Sequence, residues 1–268
     1  MYPKLISIGS FSIPTYGVLV ALGFLAGLWI ATKLARRIGL PSEKITNLAV
    51  YCAMGGILGA KLFMFLFDFG YYWNNPGQIF SLETLQAAGV FHGGFLVAFI
   101  VAALYIRHEK LPLAATMDAF APGIALGHSI GRVGCFAAGC CWGKPCHLPW
   151  AVVFHSDAAA PVPLNIPLHP AQLYESAANL LIFGILYRLF NRQHRAGEVI
   201  GFYLVLYSTA RFIIEFYREH EQPLVGPFSI TQWLALGFLA LGAVILIKVR
   251  MGHSASEGRL AVASSSGQ

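Results

Sequence analysis

Residues 11–44 read FSIPTYGVLVALGFLAGLWIATKLARRIGLPSEK. Residues 11–32 hold no charged side chain, and Lys33, Arg36, Arg37 and Lys44 follow within the next twelve positions. About 20 apolar residues cross the hydrocarbon core of a bilayer, and lysines and arginines beside such a run mark its cytoplasmic end. The stretch predicts a transmembrane helix entering the membrane from outside. The same alternation recurs along the chain. Residues 45–69, 89–106, 172–187, 199–217 and 228–247 are further apolar runs, and 113–131 is a weaker one, interrupted by Asp118, Pro122 and His128. The expectation is an all-α polytopic membrane protein with about seven transmembrane helices.

Composition agrees with that reading. Charged residues make up 11% of the 268-residue chain, roughly half the share in a soluble domain. The net charge is +6, but the basic residues sit in short clusters between apolar runs, which suits membrane topology and argues against a nucleic-acid partner. Twelve of the 18 lysines and arginines fall after the first, third, fifth and seventh runs. The positive-inside rule then places the N-terminus outside and the C-terminus in the cytoplasm. Residues 133–170 are too polar and proline-rich to span, and predict a small outward-facing head lobe with a short strand at 150–154. Residues 1–251 form one membrane-embedded domain, and 252–268, rich in Ser, Ala and Gly, predict a disordered cytoplasmic tail. Residues 1–10 carry one lysine and no cleavage-site pattern, so the first helix is expected to be retained.

Ionisable residues inside apolar runs cost at least about 2.5 kcal/mol each and are functional candidates by default. They are Lys61, His92, Asp118, His128, Arg132, Arg211 and Glu215. Tyr207, Arg211 and Glu215 recur every four residues and share a helix face. Two readings stand for it: a buried ion pair that locks helix packing, or an arginine held by its glutamate while its other donors reach a phosphate. Gly123, Gly127 and Gly131 form a small-residue face for close helix approach, with Arg132 just beyond it. In His92-Gly93-Gly94 the glycines leave room for a ligand or for a neighbouring backbone. His169-Pro170 opens the run from 171, and the polar group Gln172, Tyr174 and Glu175 exceeds what a helix start needs.

Four of the five cysteines, Cys135, Cys140, Cys141 and Cys146, lie within twelve residues. A zinc site with His128 or His147 is one reading, but no CxxC pair is present and C-x4-CC-x4-C is not a standard zinc pattern. A disulfide in an oxidising exterior, or unpaired packing thiols, are the others. No phosphate-binding P-loop or GxGxxG motif is present.

Taken together, these blocks resemble one family. Gly131-Arg132-Val133-Gly134-Cys135-Phe136 through Gly139-Cys140-Cys141-Trp142-Gly143 is similar to the signature of prolipoprotein diacylglyceryl transferases. Tyr16-Gly17, His92-Gly93-Gly94, His169-Pro170-x-Gln172-Leu173-Tyr174-Glu175, and Tyr207 with Arg211, Glu215, Phe216 and Arg218 agree in order, as does Asp118 with Ala121-Pro122. The resemblance implies a seven-span bacterial inner-membrane enzyme that moves the diacylglyceryl group of phosphatidylglycerol onto a lipobox cysteine, forming a thioether and releasing glycerol 1-phosphate. This is the first step of lipoprotein maturation. Its partners would be phosphatidylglycerol, prolipoprotein signal peptides and the bilayer, with no metal or other cofactor.

The implied catalytic residues are His92, Arg132, Arg211, Glu215 and Tyr16. The implied phosphatidylglycerol contacts are Arg132, Arg211, Tyr207, Gly143, His169 and Gln172. His92 is the expected base for the acceptor thiol, with His169 its rival. Two departures stand out: Cys135 replaces an asparagine, and Gly139-Cys140 replaces a Gly-Glu pair, so roles of that asparagine and glutamate do not carry over. Two other classes of protein also place polar residues or cysteines in such positions. A transporter predicts paired broken helices, and the chain shows no such internal repeat. A thiol oxidoreductase predicts a CxxC-like pair, which is missing.

Overall fold

A computed structural model describes residues 4–8, 11–81, 84, 89–155, 162–219 and 224–265. Residues 156–161 of the expected lobe and 266–268 of the expected tail lie outside them. The helices, in chain order, are α1 (Thr15–Arg37), α2 (Ser42–Phe67), α3 (Phe69–Asn74), α4 (Phe91–His108), α5 (Leu113–Ala138), α6 (Ala171–Phe190), α7 (Glu198–Glu215) and α8 (Ile230–Ser265). Three short antiparallel hairpins pair β1 (Lys4–Ile8) with β2 (Phe11–Pro14), β3 (Val152–Val153) with β4 (Pro167–Leu168), and β5 (Leu224–Val225) with β6 (Phe228–Ser229). The protein is mostly helical. Thr15–Arg37, Ser42–Phe67, Ala171–Phe190 and Ile230–Met251 are long and apolar enough to cross a membrane, and His92–His108 is a shorter apolar helix.

Two compact units divide the chain: Met1–Leu34 with Met117–Gln268, and Ala35–Thr116. In the first, α1 begins four residues later than its apolar run, because Phe11–Pro14 alternates with period two and pairs with β1. Helix α5 passes through Pro122 and continues to Ala138, beyond the expected end at 131. Helices α1 and α5 meet through glycines. A Cβ on Gly23 would lie 2.7 Å from the Gly127 carbonyl oxygen, and one on Gly27 would lie 2.7 Å from that of Gly123. The third glycine of that face, Gly131, has no such neighbour.

Asp118 fixes the start of α7. Its carboxylate accepts the backbone N–H of Gly197 at 2.6 Å and of Ile200 at 2.8 Å, so two donors left orphaned at a helix N-terminus are satisfied from another helix. The last helix also starts later than its apolar run. Phe228 and Ser229 pair across the Gly226 turn (φ +67°). Ser229 and Gln232 then exchange hydrogen bonds, Ser229 N–H to Gln232 Oε1 at 3.0 Å and Gln232 N–H to Ser229 Oγ at 3.2 Å, which is a capping box. Between α5 and α6, a small core of Phe154, Val162 and Leu168 is covered by Phe136, Trp142 and Val152. The strand expected at 150–154 is the two-residue β3.

In the second unit, α2 and α4 pack closely. A Cβ on Gly59 would sit 2.7 Å from the Gly93 carbonyl oxygen, and one on Gly94 would sit 2.7 Å from that of Gly56. The glycines after His92 therefore admit a helix backbone. Gly89 (φ +74°) makes the turn into this helix, and Val90 N–H reaches the Ala60 carbonyl at 3.0 Å. Lys61 donates to the Thr84 carbonyl at 2.5 Å, and Lys44 pairs with Glu109 at 2.7 Å.

Candidate active site

The polar centre of the first unit is built around Glu175, in the second turn of α6. Helices α5 and α6 are held together beside it by reciprocal bonds: Ser129 Oγ donates to the Ser176 carbonyl and Ser176 Oγ to the Ser129 carbonyl, both at 2.9 Å. Those contacts place His128 and Arg132 of α5 against Glu175. Arg132 Nη2 stands 2.9 Å from Glu175 Oε1, His128 Nε2 at 3.4 Å and Arg211 Nε of α7 at 3.9 Å. Arg132 Nε–H also donates to His128 Nε2 at 3.2 Å.

A second carboxylate joins from α7. Arg211 Nη1 donates to Glu215 Oε2 at 2.6 Å, and Arg218 Nη1 lies 3.8 Å from the same oxygen. Ser229 Oγ donates to Glu215 Oε1 at 3.1 Å. Both glutamate side chains are nearly sealed from solvent, at 3% and 2% exposure, against 16%, 10% and 16% for Arg132, Arg211 and Arg218. Among the described residues, three guanidinium groups therefore meet two carboxylates, and one positive charge is left over among mostly buried groups. That excess decides what the cluster is suited to hold. A balanced set suits a buried ion-pair lock best, because an uncompensated buried charge costs several kcal/mol. An excess cation made of planar N–H donors suits an anion such as a phosphate.

The other expected residues fall into three groups. Tyr207 stands with the cluster: its ring centroid is 5.4 Å from that of His128, and it stacks on Tyr203 at 5.6 Å. Tyr16 lies within electrostatic range of Arg132 and of Cys135, Cys140 and Cys141.

Gly143, His169 and Gln172 frame the chain beside the cluster. Gly143 N–H donates to the His169 carbonyl at 3.1 Å and Lys144 N–H to the Tyr217 carbonyl at 2.9 Å. A Cβ on Gly143 would come within 2.5 Å of the His169 carbonyl oxygen and 2.7 Å of the Tyr217 carbonyl oxygen, so the position has no room for a side chain. Buried Gln172 donates to the Cys140 carbonyl at 2.6 Å. His169 Nδ1 bonds Tyr174 Oη at 3.1 Å, which also accepts from Trp150 Nε1 at 2.7 Å. His92 belongs to the second unit and is not among the residues that the first unit gathers.

Glu175, His128 and Arg218 carried no expected catalytic or binding role, yet the geometry gives them central places. The cost rule that singled out Glu215 applies equally to Glu175, a carboxylate inside the run 172–187. Its place in the polar group Gln172, Tyr174 and Glu175 was the signal that pointed to it.

The thiols of Cys135, Cys140 and Cys141 lie within 4.8 Å of one another and form no disulfide. Cys140 Sγ–H donates to the Cys135 carbonyl at 3.6 Å.

Set beside known proteins, residues 3–248 match the family profile described as prolipoprotein diacylglyceryl transferase. The chain belongs to that family. It is 32% identical over 245 residues to a phosphatidylglycerol–prolipoprotein diacylglyceryl transferase of Clostridium tetani, covering 91% of this chain and 96% of the relative. The protein of the same name from Cupriavidus metallidurans is 32% identical over 265 residues, covering 95% and 96%. That from Methylobacillus flagellatus is 34% identical over 258, covering 91% and 95%. As a prolipoprotein diacylglyceryl transferase family member, the chain is a bacterial membrane transferase, and its cationic cluster sits among the blocks that carried the resemblance.

Proposed function

We propose that the chain transfers the diacylglyceryl group of phosphatidylglycerol to the thiol of a prolipoprotein lipobox cysteine, with the arginine cluster holding the phosphate. The observation that carries this reading is the unbalanced charge: Arg132, Arg211 and Arg218 against Glu175 and Glu215. Sulfur attacks the glyceryl carbon that bears the phosphate, the carbon–oxygen bond breaks, and glycerol 1-phosphate leaves. Negative charge builds on the phosphate oxygens as that bond lengthens. Guanidinium donors fixed in a poorly hydrated site stabilise it without reorganising.

Glu175 and Glu215 position the arginines, and Tyr207 and Tyr16 flank them. Gln172 and Gly143 shape the chain beside the headgroup. His92 takes the thiol proton, with His169 the alternative base. The enzyme has seven spans, an outward N-terminus and head lobe and a cytoplasmic C-terminus. Residues 1–251 are its membrane domain and 252–268 its tail, and the acyl chains remain in the bilayer.

The test is to incubate the detergent-purified full chain with phosphatidylglycerol and a lipobox peptide, and to detect the diacylglyceryl thioether by mass spectrometry. The parent yields product, and folded Arg132→Ala loses about 10²–10³ in rate, the cost of removing one such donor. Product formation by Arg132→Ala at the parental rate would remove the phosphate role.

A further inference from the structure

Helix α5 ends in a turn that explains two of its three neighbouring thiols. Gly139 adopts φ +71°. Its N–H bonds the Phe136 carbonyl at 3.2 Å, and Cys140 N–H bonds the Cys135 carbonyl at 3.1 Å. This is a Schellman cap, in which the side chains at the positions of Cys135 and Cys140 ordinarily touch. The cap alone therefore accounts for C-x4-C. It does not account for Cys141, a non-glycine residue held at φ +60°, a conformation that side chains disfavour. That backbone turns the third sulfur back onto the first two.

We propose that Cys135, Cys140 and Cys141 form a three-thiolate site for a soft divalent cation, zinc foremost, with a fourth coordination position open to an incoming thiol. A tetrahedral zinc–thiolate bond of about 2.3 Å places its sulfurs about 3.8 Å apart. The three sulfurs here already lie within 4.8 Å, so closing on an ion needs movements of side-chain size. Three protein ligands with one open place is the arrangement of reactive zinc sites, whereas structural ones close with four.

All three cysteines are partly exposed, which leaves a path for ion and ligand. Gln172, through its bond to the Cys140 carbonyl, fixes the loop that carries two of the ligands. The identity of the fourth ligand as the acceptor cysteine thiol rests on the transferase reading above. That thiol binds as thiolate, giving its proton to the base. The carbon–sulfur bond then forms as the carbon–oxygen bond to the phosphate breaks.

The experiment uses the full chain in detergent, reduced, loaded with zinc or cobalt(II) and freed of excess metal. Elemental analysis is expected to find one zinc per chain in the parent and in Cys52→Ser. The Cys140→Ser/Cys141→Ser double variant should bind it at least about 100-fold more weakly, since even outer-shell losses cost 10–100-fold. The cobalt form should show a thiolate-to-metal absorption band that shifts when a cysteine peptide is added and does not shift with its serine counterpart. A reduced parent that binds no metal, or a double variant that keeps it, would overturn the site. So would a disulfide among the three thiols that persists through reduction. An unshifted cobalt spectrum would overturn the thiol as fourth ligand. Thioether formation by metal-free double variant at the parental rate would sink the role in transfer and leave the transferase reading intact. A parent that binds metal and forms no thioether would do the reverse.

Discussion

Asp118 and Glu175 are both carboxylates on apolar helices, both almost fully buried, and yet they do opposite things. Asp118 is 0% exposed and meets two backbone N–H groups at the start of α7. Glu175 is as deeply buried and meets Arg132, His128 and Arg211. The first carboxylate is satisfied by the fold and has nothing left to offer a ligand. The second is outnumbered by cations whose charge its neighbour Glu215 does not complete. Burial of a charge therefore says that a reason exists. What surrounds the charge says which reason it is.

Substitutions that separate activity from stability sharpen this contrast. The largest effect is expected at Arg211→Ala, which removes a donor from the proposed phosphate site. Thioether formation should fall about 10²–10³-fold, or about 2.7–4 kcal/mol of transition-state stabilisation, in protein that still elutes as a folded species. A smaller effect is expected from Asp118→Asn, where an amide replaces the charged acceptor of two helix-start donors. It should cost about 1–2 kcal/mol of stability, seen as a lower unfolding midpoint in detergent, with turnover of the folded fraction unchanged. If Asp118→Asn instead lowered turnover at an unchanged midpoint, Asp118 would belong with the site and the contrast would fail.

Much of this was legible in the chain, and the gaps have physical causes. Apolar run length located the helices because backbone groups in a membrane must be satisfied internally. It missed the ends. Residues 11–14 and 228–229 are apolar enough to extend α1 and α8, but each pairs as a strand, a choice made by partners elsewhere in the chain. Helix α5 ran past residue 131 because Arg132, which suggested a stop, finds its partner in Glu175, and the helix closes only at the left-handed Gly139. The glycines of the His92 block were read as room for a ligand or a backbone, and the backbone of α2 occupies it.

Arg132, Arg211, Glu215 and Tyr207 were visible as costly or periodic residues. Glu175 and His128 were not singled out together, because their pairing joins positions 47 residues apart. The three thiols were visible as a count, but their convergence depends on the left-handed backbone of Gly139 and Cys141, which residue spacing alone does not encode.

In the proposed mechanism the arginines act through directed phosphate contacts as well as through charge. Arg132→Lys tests it most directly, because lysine keeps the positive charge opposite Glu175 and loses the planar, bidentate donor geometry. Turnover and unfolding midpoint would be measured together, with Asp118→Asn alongside. Arg132→Lys is expected to lose at least about tenfold in rate, about 1.4 kcal/mol, with an unfolding midpoint close to the parent's, while Asp118→Asn shows the opposite pattern. Parental turnover in Arg132→Lys would contradict it, and would reduce the cluster to a buried charge lock.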